Sequence, residues 1–204
     1  VRAIDALAAI TGNIGIPGGG ANYAHSNLTG FGEIKGREYA GQHREIVRAK
    51  LGQELLEARD PAVQVAVITR SNPVAQSPAT PKVIEAFRRI PSVVVVDQFM
   101  TDTAEMADVV LPCTTFLEEE DIYANSWHNW LAYGPRVVEP RGECKSDVVI
   151  FTELAQRMGL GSYFSRSITE WMEYILAPLN RQGVTLERLK QGPMRFPGAP
   201  RVAW

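Results

Sequence analysis

Residues 91–112 read PSVVVVDQFMTDTAEMADVVLP: four valines in succession run into Asp97, and Gln98, Thr101, Asp102 and Thr103 follow. A carboxylate fixed at the end of an apolar, β-branched run has a short list of uses. It can accept paired hydrogen bonds from a ribose. It can accept the N1–H and N2–H donors of a guanine edge, a bidentate contact that suits a carboxylate. It can also bond only the backbone of its own turn. A second polar segment, RSNPVAQSPA over 70–79, places Ser71, Asn72 and Pro73 at its start. It is longer than the roughly two to six residues usual between a strand and a helix. Small donors on a rigid backbone near a helix start suit a phosphate or a sugar, and the same composition suits a solvated turn.

Other segments invite chemistry less directly. The glycine run TGNIGIPGGG (11–20) follows a helical pattern and not a strand, so it lacks the context of a phosphate-binding loop. Its glycines let the backbone turn or pass close to a neighbour. His25, in ANYAHSNLTGFG, has by residue type the reading of a surface or packing histidine. Four consecutive acids, Glu118 to Asp121, precede Trp127, His128, Trp130 and Tyr133. Consecutive side chains of a strand or helix do not converge on one ion, so these acids read as a solvated turn before an aromatic packing segment. Cys113 and Cys144 are too few for a four-ligand zinc or iron–sulfur site and read as partly buried thiols. The three histidines lack the i, i+4 spacing of a helical metal pair. No metal ligand is nominated, and cysteine usage does not fix the compartment.

The elements that must hold these groups follow from periodicity. Val1, Ile4, Leu7 and Ala8 predict a helix closed by Gly12, and Ile46 to Leu56 predict a second, ending near Asp60-Pro61. VQVAVIT (63–69) reads as a buried strand. TPKVIEAFRRI reads as a helix with Thr80 as N-cap, Pro81 at its first position and Val83, Ile84, Phe87 and Ile90 inward. The valine run is the next strand, Asp102 and Glu105 have capping-box spacing for a brief helix, and Val109 to Leu111 is a third strand. Strand, helix, strand, short helix, strand predicts an α/β fold: an open, mainly parallel, Rossmann-like sheet flanked by helices. Phe151 to Met158 and Ile168 to Leu176 predict later helices, and GPMRFPGAPRVAW at the C-terminus reads as an extended arm. Ligands of such sheets bind beyond the carboxyl ends of the strands, where residues 70–79 and 97–103 lie.

Composition bounds the rest. The chain has 204 residues, 45% hydrophobic and 22% charged, with a net charge of −2 and both signs interspersed. That gives no electrostatic case for nucleic acid or an anionic membrane. No apolar run approaches the ~18 residues of a membrane span, so no direct membrane insertion is expected. Residue 1 opens a helix without a signal-peptide layout, and the chain reads as a piece of something longer.

Five segments in order, RAIDALAAITGNIGIPGGGANY, RSNPVAQSP, VVVVDQFMTDTAEMADVVLP, FLEEEDIY and KSDVVIFTELAQRMGL, resemble the molybdopterin oxidoreductases of the dimethyl sulfoxide reductase family. The resemblance implies an internal fragment of a catalytic subunit. Residues 1–160 would be an α/β domain for molybdopterin guanine dinucleotide, and 161–204 a helical segment and linker toward a C-terminal barrel. It implies a bis(molybdopterin guanine dinucleotide) cofactor with Mo or W, and a 4Fe–4S cluster only in an N-terminal part outside these residues. Ser71, Asn72 and Pro73 would line the loop over one cofactor arm, Asp97 would bind the guanine edge, and Gln98 and Thr101 would stand beside it. His25 would be the catalytic candidate, in the substrate funnel with Asn27. The implied partners are the remaining domains of the subunit and an iron–sulfur electron-transfer subunit.

Departures refine this. The family often has Gly where this chain has Arg70, and formate dehydrogenases carry Arg where TGNIG aligns His25. DIYANSWHNW fits better with reductases of sulfur or oxyanion type. The resemblance also implies that the isolated chain is inactive. Two alternatives stand beside it: a cofactor-less structural relative, such as the large iron–sulfur subunit of NADH dehydrogenase, and a free-standing nucleotide-binding module.

Overall fold

The computed structural model describes residues 2–21, 31–32, 43–124 and 128–199. Its contacts separate the chain into two compact units, each discontinuous in sequence: Gly36–Glu119 with Val137–Ser165, and Val1–Lys35 with Glu120–Arg136 and Arg166–Trp204. This division by contact differs from a partition of the sequence at residue 160.

The first unit is the α/β fold. Strands β1 (Val65–Thr69), β2 (Ser92–Asp97) and β3 (Val109–Pro112) form one parallel sheet in the order β1-β2-β3. Val65 pairs with Ser92, and Asp97 with Pro112. Helices α2 (Leu51–Glu57), α3 (Pro73–Gln76), α4 (Thr80–Arg89) and α5 (Asp147–Arg157) accompany it. Val83 and Phe87 of α4, with Ile90 at its C-cap, pack on Val93 and Val95 of β2 and on Ala66 and Ile68 of β1, which is why a 3.6-residue period sits between two β-branched runs. Gly52 of α2 makes a close approach possible, since a Cβ there would lie 2.5 Å from the backbone N of Val83.

Several local details differ from the sequence reading. Strand β1 is not buried on both faces: Val65 and Val67 are 56% and 50% exposed, while Val93, Val95 and Val96 of β2 are buried. Helix α4 begins at Thr80 itself. Ala79 is the cap in the left-handed region (φ 57°), and its carbonyl accepts the Lys82 N–H at 2.8 Å. The link from β2 to β3 is a 3₁₀ turn, Ala104–Met106, whose Ala104 N–H is taken by Thr101 Oγ1 at 3.2 Å. Asp102 caps nothing there because its carboxylate accepts from Asn72 instead.

The second unit carries an antiparallel sheet that the sequence reading did not anticipate. Strands β4 (Asp121–Ala124), β5 (Trp130–Gly134) and β6 (Met194–Arg195) lie in the order β4-β5-β6. Part of the acidic and aromatic segment is therefore strand, and the C-terminal arm supplies a third short strand through Met194, opposite Leu131. Residues 200–204 and Trp127 lie outside the described residues. Helices α1 (Arg2–Ile10), α6 (Ile168–Leu176) and α7 (Leu186–Gln191) belong to this unit. Leu131, Met172, Leu176, Leu179, Val184 and Leu189 form its core. Helix α6 opens with a capping box between Ser167 and Glu170, and Ile4, Leu7 and Ile10 leave one face of α1 exposed. Among the described residues, no helix is long and apolar enough to cross a membrane.

Candidate functional site

Parallel strands all end on the same side, so the carboxyl ends of β1, β2 and β3 share one rim of the α/β unit. Asp97 is the last residue of β2 and is half-buried. Its Oδ1 accepts the N–H of Phe99 at 3.1 Å. No described residue donates to its Oδ2. The bond to its own turn, one of the three uses read from sequence, thus occupies one oxygen and leaves the other. Phe99 is 72% exposed at the tip of that turn. Gln98 donates from Nε2 to the Thr114 carbonyl at 2.8 Å, which ties the end of β2 to the segment after β3.

The loop leaving β1 is fixed from two sides. Arg70 adopts φ 50°, a left-handed conformation costly for a side chain with a Cβ. Its Nε donates to Asp147 Oδ2 at 2.6 Å, at the first residue of α5. The other oxygen of Asp147 is buried without a hydrogen-bond partner. Two residues on, Asn72 Oδ1 accepts from both the N–H (3.2 Å) and the hydroxyl (2.7 Å) of Thr103, and its Nδ2 donates to Asp102 Oδ2 at 3.2 Å. Pro73 is buried at the first position of α3. Ser71, between these two anchors, is half-buried. Among the described residues its N–H and hydroxyl have no partner.

The structure therefore brings Ser71, Asn72, Pro73, Asp97, Gln98 and Thr101 onto one rim. Thr101 accepts the Ala104 N–H of the 3₁₀ turn there. His25 and Asn27 lie outside the described residues.

Cys113 follows β3 and forms a parallel bridge with Lys145, so the segment before α5 runs beside the sheet. Burial first, then the charges of Asp147 and Asp97, pushes its thiol above the ordinary range. Cys113 is thus a poor thiolate, first because it is partly buried and then because two acids face it. Beyond it, the acids expected in a solvated turn are structural. Glu118 is buried and accepts the N–H and hydroxyl of Thr115 (2.9 and 3.1 Å) and the Arg141 N–H at 2.9 Å. These backbone bonds hold its carboxyl below the usual range. In the other unit, Glu120 accepts from the Tyr133 hydroxyl at 2.7 Å, and that bond, with burial, pushes the phenol up to about 12.

The sequence puts Asp102 and Thr103 in the candidate loop after Asp97 without giving either a binding role, and it gives none to Asp147 or Arg70. Arg70 was noted only as a departure, and the one local signal for Asp147 was its place after Ser146 at a helix start. Among the described residues, no group of three or more His, Cys, Asp or Glu side chains could hold a metal ion.

Comparisons with known proteins agree on one family. Residues 1–157 match the family model described as molybdopterin oxidoreductase. The probable oxidoreductase YyaE of Bacillus subtilis (strain 168) is 44% identical over 209 residues, covering 100% of this chain and 31% of that protein. The biotin sulfoxide reductase of Cereibacter sphaeroides is 28% identical over 190 residues, covering 83% of this chain and 26% of that one. Among solved structures, acetylene hydratase from Pelobacter acetylenicus matches with a TM-score of 0.63 and 27% identity, over 76% of this chain and 22% of its own. The chain spans less than a third of the length of these relatives.

Proposed function

This chain belongs to the molybdopterin oxidoreductase family, and on that premise we propose that its parallel-sheet unit cradles one guanine nucleotide arm of a bis(molybdopterin guanine dinucleotide) cofactor. The carrying observation is Asp97: a half-buried carboxylate at a strand end with one oxygen held by Phe99 and the other taken by no described residue. The donor set at the rim fits that group. A guanine edge offers two adjacent N–H donors, and a carboxylate supplies the matching acceptors. Ser71 adds an N–H and a hydroxyl suited to a phosphate or ribose oxygen, and Arg70 puts a positive charge on the same loop.

When bound, the cofactor supplies Mo or W, whose change of oxidation state carries the redox chemistry. The described residues supply position. A strand end and two anchored loops hold the nucleotide so that the far end of a long ligand is placed reproducibly. His25 is proposed for the substrate funnel. The similarity to a biotin sulfoxide reductase supports a reductase of sulfur compounds or oxyanions as the class. The iron–sulfur cluster and the electron-transfer partner would belong to parts of the protein outside this chain, and the isolated chain is expected to show no turnover.

A second reading is favoured by one observation. Arg70 sits at φ 50°, where glycine is the unstrained residue, so the loop keeps a glycine-type backbone but carries a long charged side chain where the resemblance puts Gly. In that reading the fold is kept and the cofactor lost. Purified full-length protein separates the two. Stoichiometric Mo or W, with guanosine monophosphate released by mild acid, is the expected result. Protein without pterin, metal or guanosine monophosphate, from a host that makes the cofactor, overturns the proposal.

A further inference from the structure

We propose that Thr103 is a positioning residue of the rim: through Asn72 it locks the loop leaving β1 to the loop leaving β2, and so sets Ser71 against Asp97. The inference rests on reading the rim as a nucleotide site.

Thr103 is fully buried, at 0% exposure. Its hydroxyl donates to Asn72 Oδ1 at 2.7 Å and accepts the Val74 N–H at 3.1 Å. Its own N–H reaches the same Asn72 oxygen at 3.2 Å. A buried hydroxyl without partners is costly, and here both its roles are filled by groups from one distant loop. The β-branched side chain has few χ1 choices, so the hydroxyl is held in place and not merely nearby.

Asn72 is largely engaged by this arrangement. Both acceptor directions of Oδ1 are used by Thr103, Nδ2 donates to Asp102, and its backbone carbonyl accepts the N–H groups of Ala75 and Gln76. Its backbone N–H donates to Gln76 Oε1 at 3.2 Å. With its oxygen used twice and one Nδ2 hydrogen committed, this amide serves as a joint between the two loops. Ser71 has the opposite character: it stands between the Arg70–Asp147 anchor and the Asn72–Thr103 anchor, with its own N–H and hydroxyl unused among the described residues. Thr103 also begins the chain's exit from the turn that carries Asp97. A change at the joint therefore reaches Ser71 through Asn72 without touching Ser71 or Asp97.

The test uses full-length protein purified without cofactor from a host unable to make molybdopterin, titrated with GDP in a calorimeter, with thermal unfolding measured in parallel. Thr103→Val keeps the shape and removes the hydroxyl; Thr103→Ser keeps the hydroxyl. Val83→Ala, a buried α4 residue outside the rim, is the stability control. The expected result is GDP binding weakened about tenfold or more in Thr103→Val, near wild-type binding in Thr103→Ser, and near wild-type binding in Val83→Ala despite a comparable loss of Tm. If Thr103→Val binds GDP as well as the control does, the positioning role is overturned and the nucleotide reading stands. If wild-type protein does not bind GDP, both fall.

Discussion

Replacing Asp97 by asparagine tests the rim where it would read a base. In the structure Oδ1 accepts the Phe99 N–H at 3.1 Å, and an asparagine oxygen can keep that bond. Folding should therefore change by no more than about 0.5 kcal/mol. The second oxygen becomes an NH₂ group, a donor facing the donors of guanine. One charge-assisted hydrogen bond is lost, about 1.5–3 kcal/mol, which is roughly 10- to 150-fold in affinity. Xanthine carries an oxygen where guanine carries its 2-amino group, so the new NH₂ has an acceptor in xanthosine diphosphate. Calorimetric titration of cofactor-free full-length protein with both nucleotides, before and after Asp97→Asn, should show the preference inverted. A variant that still binds GDP like the wild type, or that loses both nucleotides equally, would refute the reasoning and reduce Asp97 to the acid of its own turn.

Three further outcomes are expected. Arg70→Gly relieves a left-handed residue by about 1 kcal/mol but strips Asp147 of its charged partner. A double-mutant cycle with Asp147→Asn should therefore be non-additive by about 1 kcal/mol, and strict additivity in chemical unfolding would show that the pair contributes nothing. Glu118, whose folded pKa is depressed, contributes stability that is present above its unfolded pKa and is lost as pH falls through the lower folded value. Glu118→Gln should lower Tm near neutrality and flatten the acid limb of the Tm–pH profile; an unchanged acid limb would count against the bonds to Thr115 and Arg141. Tyr133 ionises late, at about 12, because its hydroxyl donates a hydrogen bond to the Glu120 carboxylate, which favours the neutral phenol. The stability tied to its neutral form is complete below the unfolded pKa, and it declines as pH rises from there through the folded value. A spectrophotometric titration should lose that late step in Tyr133→Phe.

Much of the scaffold is legible in the sequence, and for physical reasons. A run of four valines has few conformations that bury it, and the stripe Val83, Phe87, Ile90 has one period, so β2, α4 and their crossover follow directly. The strand end at Asp97 comes with them. What escapes is whatever depends on distant partners. Thr103 looks like any turn threonine until Asn72, 31 positions earlier, is beside it. Four acids in a row look solvated until the Arg141 N–H, 23 positions on, closes over Glu118. The exposed alternation of Val65 and Val67 is hidden because an apolar strand reads the same whether one face is covered or two. Strands β4 and β5 are short and half-buried, too brief for a period to stand out from the acids and aromatics around them.

The anchor between Arg70 and Asp147 joins residues 77 positions apart. On a ribosome adding roughly 5–20 residues per second, that gap corresponds to about 4–15 s. For its last stretch, the 35 residues from Pro112 to Asp147 or about 2–7 s, β1, β2 and β3 have all been made while Arg70 has no clamp to hold it in its unfavourable backbone conformation. The mouth of the sheet is thus finished last, after its walls, and a large prefabricated guest would meet an entrance still ajar until the start of α5 emerges.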